Sequence, residues 1–314
     1  MQPTLLKIKA TGALMAALIA AAISATYGQT FMGSLAGTVV DPSNSGIPNA
    51  TIEMKNTNTN DVRRTTSGPS GSYEFSNLLP GTYEITVQAA GFKTYSRSDL
   101  VLRAGVAASL DPRLELGATQ ESVRVSGEAV LLDTESANHA ATLNTQMVSQ
   151  LPTSTRTPLN FVFALAGTTE AQGGMTATSA NIDQMFSMFG LQGGRSGNAQ
   201  ILIDGAAATA PDWGGLMVSP TVDSIQEMQV IRNTYDAQYG KSGAGVVTLV
   251  SKGGSSSFHG GAFDFLRNDN LDANSWANNK AGVPKGEFKR NQFGGYLGGP
   301  VLKRANLFFF ASYE

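Results

Sequence analysis

Only a few residues in this chain have the types and spacing that chemistry requires. Gly240-Lys241-Ser242 repeats the end of a phosphate-binding loop. Such a loop cradles phosphates with backbone N–H groups, and its lysine and hydroxyl serve the terminal phosphate and its Mg²⁺. The loop also needs an earlier glycine, and Tyr235 stands there; an apolar run, Val246 to Val250, follows where a helix should. Nucleotide binding is therefore not expected. The two histidines, His139 and His259, lie far apart with no acidic or histidine partner at ligand spacing, and His-Glu-x-x-His is absent. Both read as surface or interface residues. No Gly-x-Ser-x-Gly elbow is present, the carboxylates are scattered over turns, and Asp204 reads as a turn residue. There are no cysteines, which excludes disulfides and thiolate metal sites. The expectation is a non-enzyme with no catalytic residue, cofactor or metal.

Two segments suit binding. Met185, Phe186, Met188 and Phe189 sit in a Met-, Phe- and Gly-rich stretch from Met175 to Arg195. Flexible thioethers and aromatic faces make an adaptable contact surface for a substrate, though the same residues could simply pack one part of the protein against another. The second segment, QESVRV, holds Glu121, Ser122, Val123, Arg124 and Val125. An extended stretch with unpaired N–H and C=O groups can be captured by a partner sheet through strand addition. Its alternative is a last strand of the preceding domain or an inert linker.

The elements that would carry these segments are mostly strands. The net charge is −2 over 314 residues and the basic residues are dispersed, so neither nucleic acid nor a polybasic membrane contact is expected. Lys7 and Lys9 precede a short apolar run, Ala13 to Ala25, then small residues around Ala25 and Gly28. That is the three-part pattern of a secretory signal, expected over residues 1–28. Residues 29–117 alternate in short strands, among them Leu35, Gly37 and Val39, then Tyr73 and Phe75, then Tyr83, Ile85 and Val87. Asp41-Pro42, Ser45-Gly46, Pro80-Gly81 and Ala90-Gly91 punctuate them. Such spacing without a helical period predicts an antiparallel β-sandwich.

Here the sequence resembles known families. GTVVDPSNSGIPNATIEM and GSYEFSNLLPGTYEITVQAAGF look like the carboxypeptidase regulatory-like domain, which implies a seven-stranded sandwich without a protease site. FGLQGGRSGNAQILIDGAAA, with Gly194, Arg195, Leu202, Asp204 and Gly205, resembles the plug domain of TonB-dependent outer-membrane receptors. So does SIQEMQVIRNTYDAQYGKSGAGVVTLVSKGG, with Tyr239, Gly240, Gly243 and Gly245. The plug resemblance covers 128–254, with helices expected at Thr145 to Leu151 and Pro158 to Gly167. It also makes Glu121 to Val125 resemble a TonB box, within a linker at 118–127. Residues 255–314 resemble the opening barrel strands of the Oar-like branch. In their last run Leu307, Phe309, Ala311 and Tyr313 would face lipid, and Phe308, Phe310, Ser312 and Glu314 the other side. Barrel strands take roughly 10 residues each, so the sequence reads as the N-terminal part of a longer chain.

Taken together, the expected fold is mainly β: a seven-stranded antiparallel β-sandwich, an α+β plug, and the first strands of a transmembrane β-barrel. The resemblance implies an outer-membrane receptor for energy-coupled uptake of a scarce solute, such as a siderophore or oligosaccharide. Its partners would be outer-membrane lipid and a TonB-type periplasmic protein, with the sandwich in the periplasm. The alternative is a surface or adhesion protein whose sandwich binds carbohydrate. The signal pattern predicts that the mature protein starts just after Ala25 or Gly28. N-terminal sequencing of outer-membrane material checks this, and an intact Met1 in that fraction would contradict it.

Overall fold

The computed structural model describes residues 32–117, 122–125, 139–151, 156–170, 189–191, 198–210, 216–233, 239–240 and 242–314. The chain begins with seven short strands: β1 (Gly33–Thr38), β2 (Thr51–Asn56), β3 (Val62–Thr66), β4 (Ser72–Leu78), β5 (Gly81–Gln88), β6 (Thr94–Leu102) and β7 (Ala107–Ser109). An eighth, β8 (Ser122–Val125), joins them. They form two sheets, ordered β4-β1-β7 and β3-β2-β5-β6-β8. The period-2 pattern sets the packing: Tyr83, Ile85 and Val87 of β5 are buried while their neighbours are partly exposed. They meet Leu35, Phe75 and Leu78 of the other sheet in a single core cluster. The Leu79-Pro80-Gly81-Thr82-Tyr83 motif closes on itself, because the Tyr83 hydroxyl donates to the Leu79 carbonyl at 2.7 Å.

The seven-stranded sandwich is present, but its pairing departs from the antiparallel expectation at two places. β7 runs parallel to β1, and β8 runs parallel to β6. Alternation tells which side chains point inward and says nothing about the direction of a neighbour that is distant in sequence. β7 follows β6 but crosses to the opposite sheet, and that crossing aligns it with β1.

The middle of the chain builds a second unit around a five-stranded sheet. Its elements are β9 (His139–Asn144), helix α1 (Thr145–Gln150), β10 (Thr168–Glu170), β11 (Phe189–Leu191), β12 (Gln200–Ile203), β13 (Ala206–Ala207), β14 (Ile225–Asn233) and β15 (Val246–Ser251). The order is β13-β12-β15-β14-β9, with β10 and β11 paired separately. β15 lies parallel to β12 and antiparallel to β14. Residues Val246 to Val250 are all buried, as a strand covered on both faces must be. Asn144 caps α1, its side-chain oxygen accepting from the Met147 N–H at 2.9 Å. The helix expected from Pro158 to Gly167 is a 3-10 helix, Pro158–Ala164, with Pro158, Leu159, Phe161 and Val162 buried. Short connectors often take the tighter 3-10 geometry.

The last unit has three antiparallel strands, β16 (His259–Asn268), β17 (Lys289–Leu302) and β18 (Leu307–Tyr313), with helix α2 (Trp276–Ala281) in the β16–β17 loop. Register fixes two faces. Phe263 pairs with Gly294, and Phe265 with Gln292, on one of them. Tyr296 pairs with Ser312, and Gly298 with Phe310, on the same side. Leu297, Phe309 and Tyr313 take the other, where Leu297 and Tyr313 are 51% and 73% exposed. The expected division of Leu307 to Glu314 into two faces is the one observed. No helix among the described residues is long and apolar enough to cross a membrane, which leaves strands unaddressed.

Because the sandwich core closes on itself, residues 32–117 expressed alone should unfold in one cooperative transition. Ile85→Ala, at a fully buried position, should lower the stability of that segment by about 2–5 kcal/mol. Urea titration followed by circular dichroism measures both, and a disordered spectrum in native buffer would contradict the first.

Candidate functional site

The described residues hold no cluster of three potential metal-ligating side chains, and their charged and polar contacts gather where the three units meet. The pivot is the end of β15. Asp204 and Gly205 occupy left-handed conformations, φ 49° and 81°, as a tight β12–β13 turn requires. The Asp204 carboxylate accepts from the Ser251 N–H at 2.8 Å and the Ser251 hydroxyl at 2.6 Å. A turn aspartate thus fastens the last residue of β15, directly before the Lys252 to Phe258 connector into β16. Its role is structural, as its sequence context suggested.

The Tyr239-Gly240 and Gly243-Gly245 motif is also structural. Tyr239 is buried with Leu202, Ile231 and Val246, while Gly240 is exposed. The Ser242 hydroxyl accepts from the Gly245 N–H at 2.9 Å, and the Gly243 N–H donates to the Asn198 carbonyl at 3.0 Å. Gly245 has φ 118°, and a Cβ there would lie 2.7 Å from the Ile231 carbonyl oxygen and 2.8 Å from Leu191. Only glycine lets this loop return close enough to start β15 beside β12. Gly194 and Arg195, the other motif pair, lie outside the described residues.

The binding segments fare differently. Met185, Phe186 and Met188 lie outside the described residues, and Phe189 opens β11, its backbone paired with Glu170. Of the strand-addition segment, Glu121 lies outside them. Ser122, Val123, Arg124 and Val125 form β8, aligned with Thr94 to Arg97 of β6. β8 is the terminal strand of its sheet, so one of its edges is taken by β6 and no described strand pairs with the other.

Between sandwich, central sheet and wall lies a cleft of ≈ 640 Å³ lined by Asn56, Leu79, Thr145, Gln226, Lys252 and His259, among others. Many of its polar groups already bond locally. Asn56 caps the Asn58 and Thr59 N–H groups, and the Thr145 hydroxyl bonds the Gln226 carbonyl. The His259 Nδ1 lies 3.2 Å from the Ser255 hydroxyl while its ring stacks on Phe310. His259 is thus an interface residue, as expected. The Ser256 N–H donates to the Asn58 carbonyl at 2.9 Å, a backbone tie between the sandwich and the connector.

The charged residues at these junctions were not singled out from sequence. Arg156 reaches from the segment before the 3-10 helix to Asp223 and to Glu314, the latter at 3.1 Å. Its guanidinium also lies 4.4 Å and 4.2 Å from the ring centres of Phe263 and Phe265. The Lys252 ammonium sits 5.0 Å from the Tyr296 ring centre. Burial lowers the Lys252 pKa, opposed by the Asp223 charge. Glu227 of β14 is buried against the sandwich, and burial raises its carboxyl above the usual range, opposed by Arg103 and the Ala104 N–H. A detectable sequence signal existed for Arg156: it is the only charge between Gln150 and Ala166, next to the apolar Phe161 to Leu165 run.

With this geometry in place, comparison with known proteins is informative. Residues 34–115 match the carboxypeptidase regulatory-like domain, and residues 250–314 an outer membrane beta barrel domain. The chain is 24% identical over 293 residues to the TonB-dependent transporter Oar of Myxococcus xanthus, an alignment covering 89% of this chain and 26% of that protein. Among solved structures, the siderophore receptor PirA of Acinetobacter baumannii overlaps 52% of this chain and 22% of its own, at 20% identity and TM-score 0.36. A variant of the ferric enterobactin receptor PfeA of Pseudomonas aeruginosa, solved with enterobactin, overlaps 54% of this chain and 24% of its own, at 18% identity and TM-score 0.36. The chain therefore spans about a quarter of the length of these proteins.

Two outcomes follow from the junctions. Gly245→Ala should cost about 1–3 kcal/mol through its positive φ and the Ile231 contact, seen as faster proteolytic nicking of the central domain in the full chain. The raised Glu227 pKa makes a sign prediction: its stabilising contribution is fully present below the ordinary carboxyl pKa and is lost as pH rises through the raised value. Glu227→Gln should therefore match or exceed the wild type in thermal stability at neutral pH. It should also show less loss of stability between mildly acidic and neutral pH; a steeper loss would contradict the assignment.

Proposed function

We propose that this chain is an Oar-like TonB-dependent receptor of the outer membrane that takes part in energy-coupled uptake of a scarce solute; its similarity to Oar and the two domain matches support the reading. Residues 128–254 are the plug, 255–314 the start of the wall around it, and 29–117 a sandwich on the periplasmic side. The observation that carries this reading is the passage of the buried strand β15 into β16 through a short connector of seven residues, Lys252 to Phe258. A plug continuous with its wall can be moved without leaving the pore. The solute is a small molecule of the siderophore or oligosaccharide class, a reading consistent with the siderophore receptors among the similar structures only in kind.

In the same reading, Glu121 to Val125 is the coupling segment taken up by a TonB-type periplasmic protein. The unpaired outer edge of β8 supports it, since an incoming strand can add there while β6 holds the other side. The sheet would then run continuously from sandwich into partner. Each ladder bond contributes only about 0.5–1.5 kcal/mol net, so a short segment holds firmly when loaded as a unit and still releases.

The test uses the full-length receptor. Growth of a deletion strain on limiting carbon and iron sources identifies the solute, and uptake of that solute is then measured with and without a protonophore. Val123→Pro removes a ladder donor and fixes φ. It should abolish energy-dependent uptake while surface binding of the solute stays near wild type. Ser126→Pro, beyond the paired segment, should be milder. Uptake that survives the protonophore would overturn the energy coupling, and surface binding that persists with no uptake under either condition would overturn the transport reading in favour of adhesion. Wild-type uptake by Val123→Pro would move the coupling segment elsewhere, with Gln29 to Leu35 the next candidate.

A further inference from the structure

The contacts between the central domain and the wall gather on one row of side chains, and Arg156 is their centre. Its side chain is 16% exposed, and those of Asp223 and Glu314 are 19% and 13% exposed. A guanidinium so withdrawn from water needs its charge and its donors satisfied in place. Here carboxylates do so on two sides and the faces of Phe263 and Phe265 on a third. Gly294 makes room for the arrangement: a Cβ there would stand 2.7 Å from the Phe263 ring and 2.2 Å from the Tyr313 carbonyl oxygen. Gln292 completes it from the wall, its amide N–H donating to the Glu314 carboxylate at 3.3 Å.

These partners divide unevenly. Asp223 belongs to the central domain, in the turn that opens β14. Glu314, Phe263 and Phe265 belong to the wall. If the central domain shifts, Arg156 takes Asp223 with it and remains paired. Glu314 stays behind with its bond to Gln292. Arg156 thus keeps a counter-ion when the contact opens, and the cost of opening falls on Glu314, whose Oε2 has no hydrogen-bond partner even in the closed contact; that cost favours reclosing. An arginine whose only counter-ion lay across the junction would lack this property.

We propose that Arg156 is the positioning residue that latches the plug to its own first wall strands in the closed state, with Asp223 as its travelling counter-ion and Glu314, Phe263 and Phe265 as the seat. The proposal rests on the plug-and-wall reading above, but not on the identity of the solute or on energy coupling.

The test reads plug position directly, in the full-length receptor in outer membranes. Thr221 and Ser312 face each other across the same junction, hydroxyl to hydroxyl at 3.2 Å, and the 314 residues contain no cysteine to interfere. A Thr221→Cys, Ser312→Cys pair is joined by a short bifunctional thiol reagent, and the rate of crosslinking is compared with and without Arg156→Met. A second readout is sensitivity to a large hydrophilic antibiotic that an intact outer membrane excludes. Arg156→Met should slow crosslinking at least fivefold and raise antibiotic sensitivity at least fourfold, with or without a protonophore. Arg156→Lys, which keeps the charge but not the planar contact with two rings, should fall between. Should Arg156→Met fail to reach the membrane, Glu314→Gln removes the wall charge alone and should slow crosslinking by a smaller factor. Unchanged crosslinking and unchanged sensitivity in Arg156→Met, or in Glu314→Gln where Arg156→Met is absent, would overturn the latch. Changed crosslinking in a protein that transports nothing would overturn the uptake reading and leave the latch standing.

Discussion

Strand β15 has no free face and no free edge, and most of the architecture follows from that. Val246 to Val250 are buried, β12 lies along one side and β14 along the other. Apolar side chains on both faces leave the register of this strand to be set at its two ends. Its start is fixed by Gly245, whose backbone passes too close to Ile231 for any side chain. Its end is fixed by the Asp204 carboxylate on Ser251. The first wall strand follows after seven residues, Lys252 to Phe258. The chain itself thus keeps the central domain close to the wall before any side-chain contact is considered.

The three units are joined by interactions of different strength, in an order that suits a moving part. Backbone and connector tie the central sheet to the wall covalently. The Arg156 contacts add a withdrawn ionic and aromatic seat. The sandwich is held by lighter means, the Ser256 to Asn58 backbone bond and the buried Glu227 near Arg103. A buried carboxylate without full compensation favours its protonated form, so this last junction is weakest where Glu227 is charged. Its own hydrophobic core leaves the sandwich intact when that junction loosens.

What was legible in the sequence was local or periodic. Tyr83, Ile85 and Val87 announced a half-buried strand by alternation, Asp204-Gly205 announced a tight turn, and Leu307 to Tyr313 declared two faces. Family resemblance named the two domain families that match at 34–115 and 250–314. Pairing between distant strands was not legible, because the parallel partners of β1 and β6 depend on crossings that no short window records. Nor was the Arg156 seat, whose members are separated by up to 158 residues. The helix expected from Pro158 to Gly167 is a 3-10 helix ending at Ala164, a difference that apolar periodicity does not record over so few residues.

The central claim is that β16 to β18 are a membrane wall with lipid on one face and the plug on the other. Spin labels placed singly at Leu297 and at Ser312 of the full-length receptor in lipid, read for collision with oxygen and with a water-soluble nickel complex, test it most directly. The account predicts an oxygen-accessible, nickel-inaccessible label at Leu297 and an immobilised label at Ser312 that neither reagent reaches well. Strong nickel accessibility at Leu297 would contradict it.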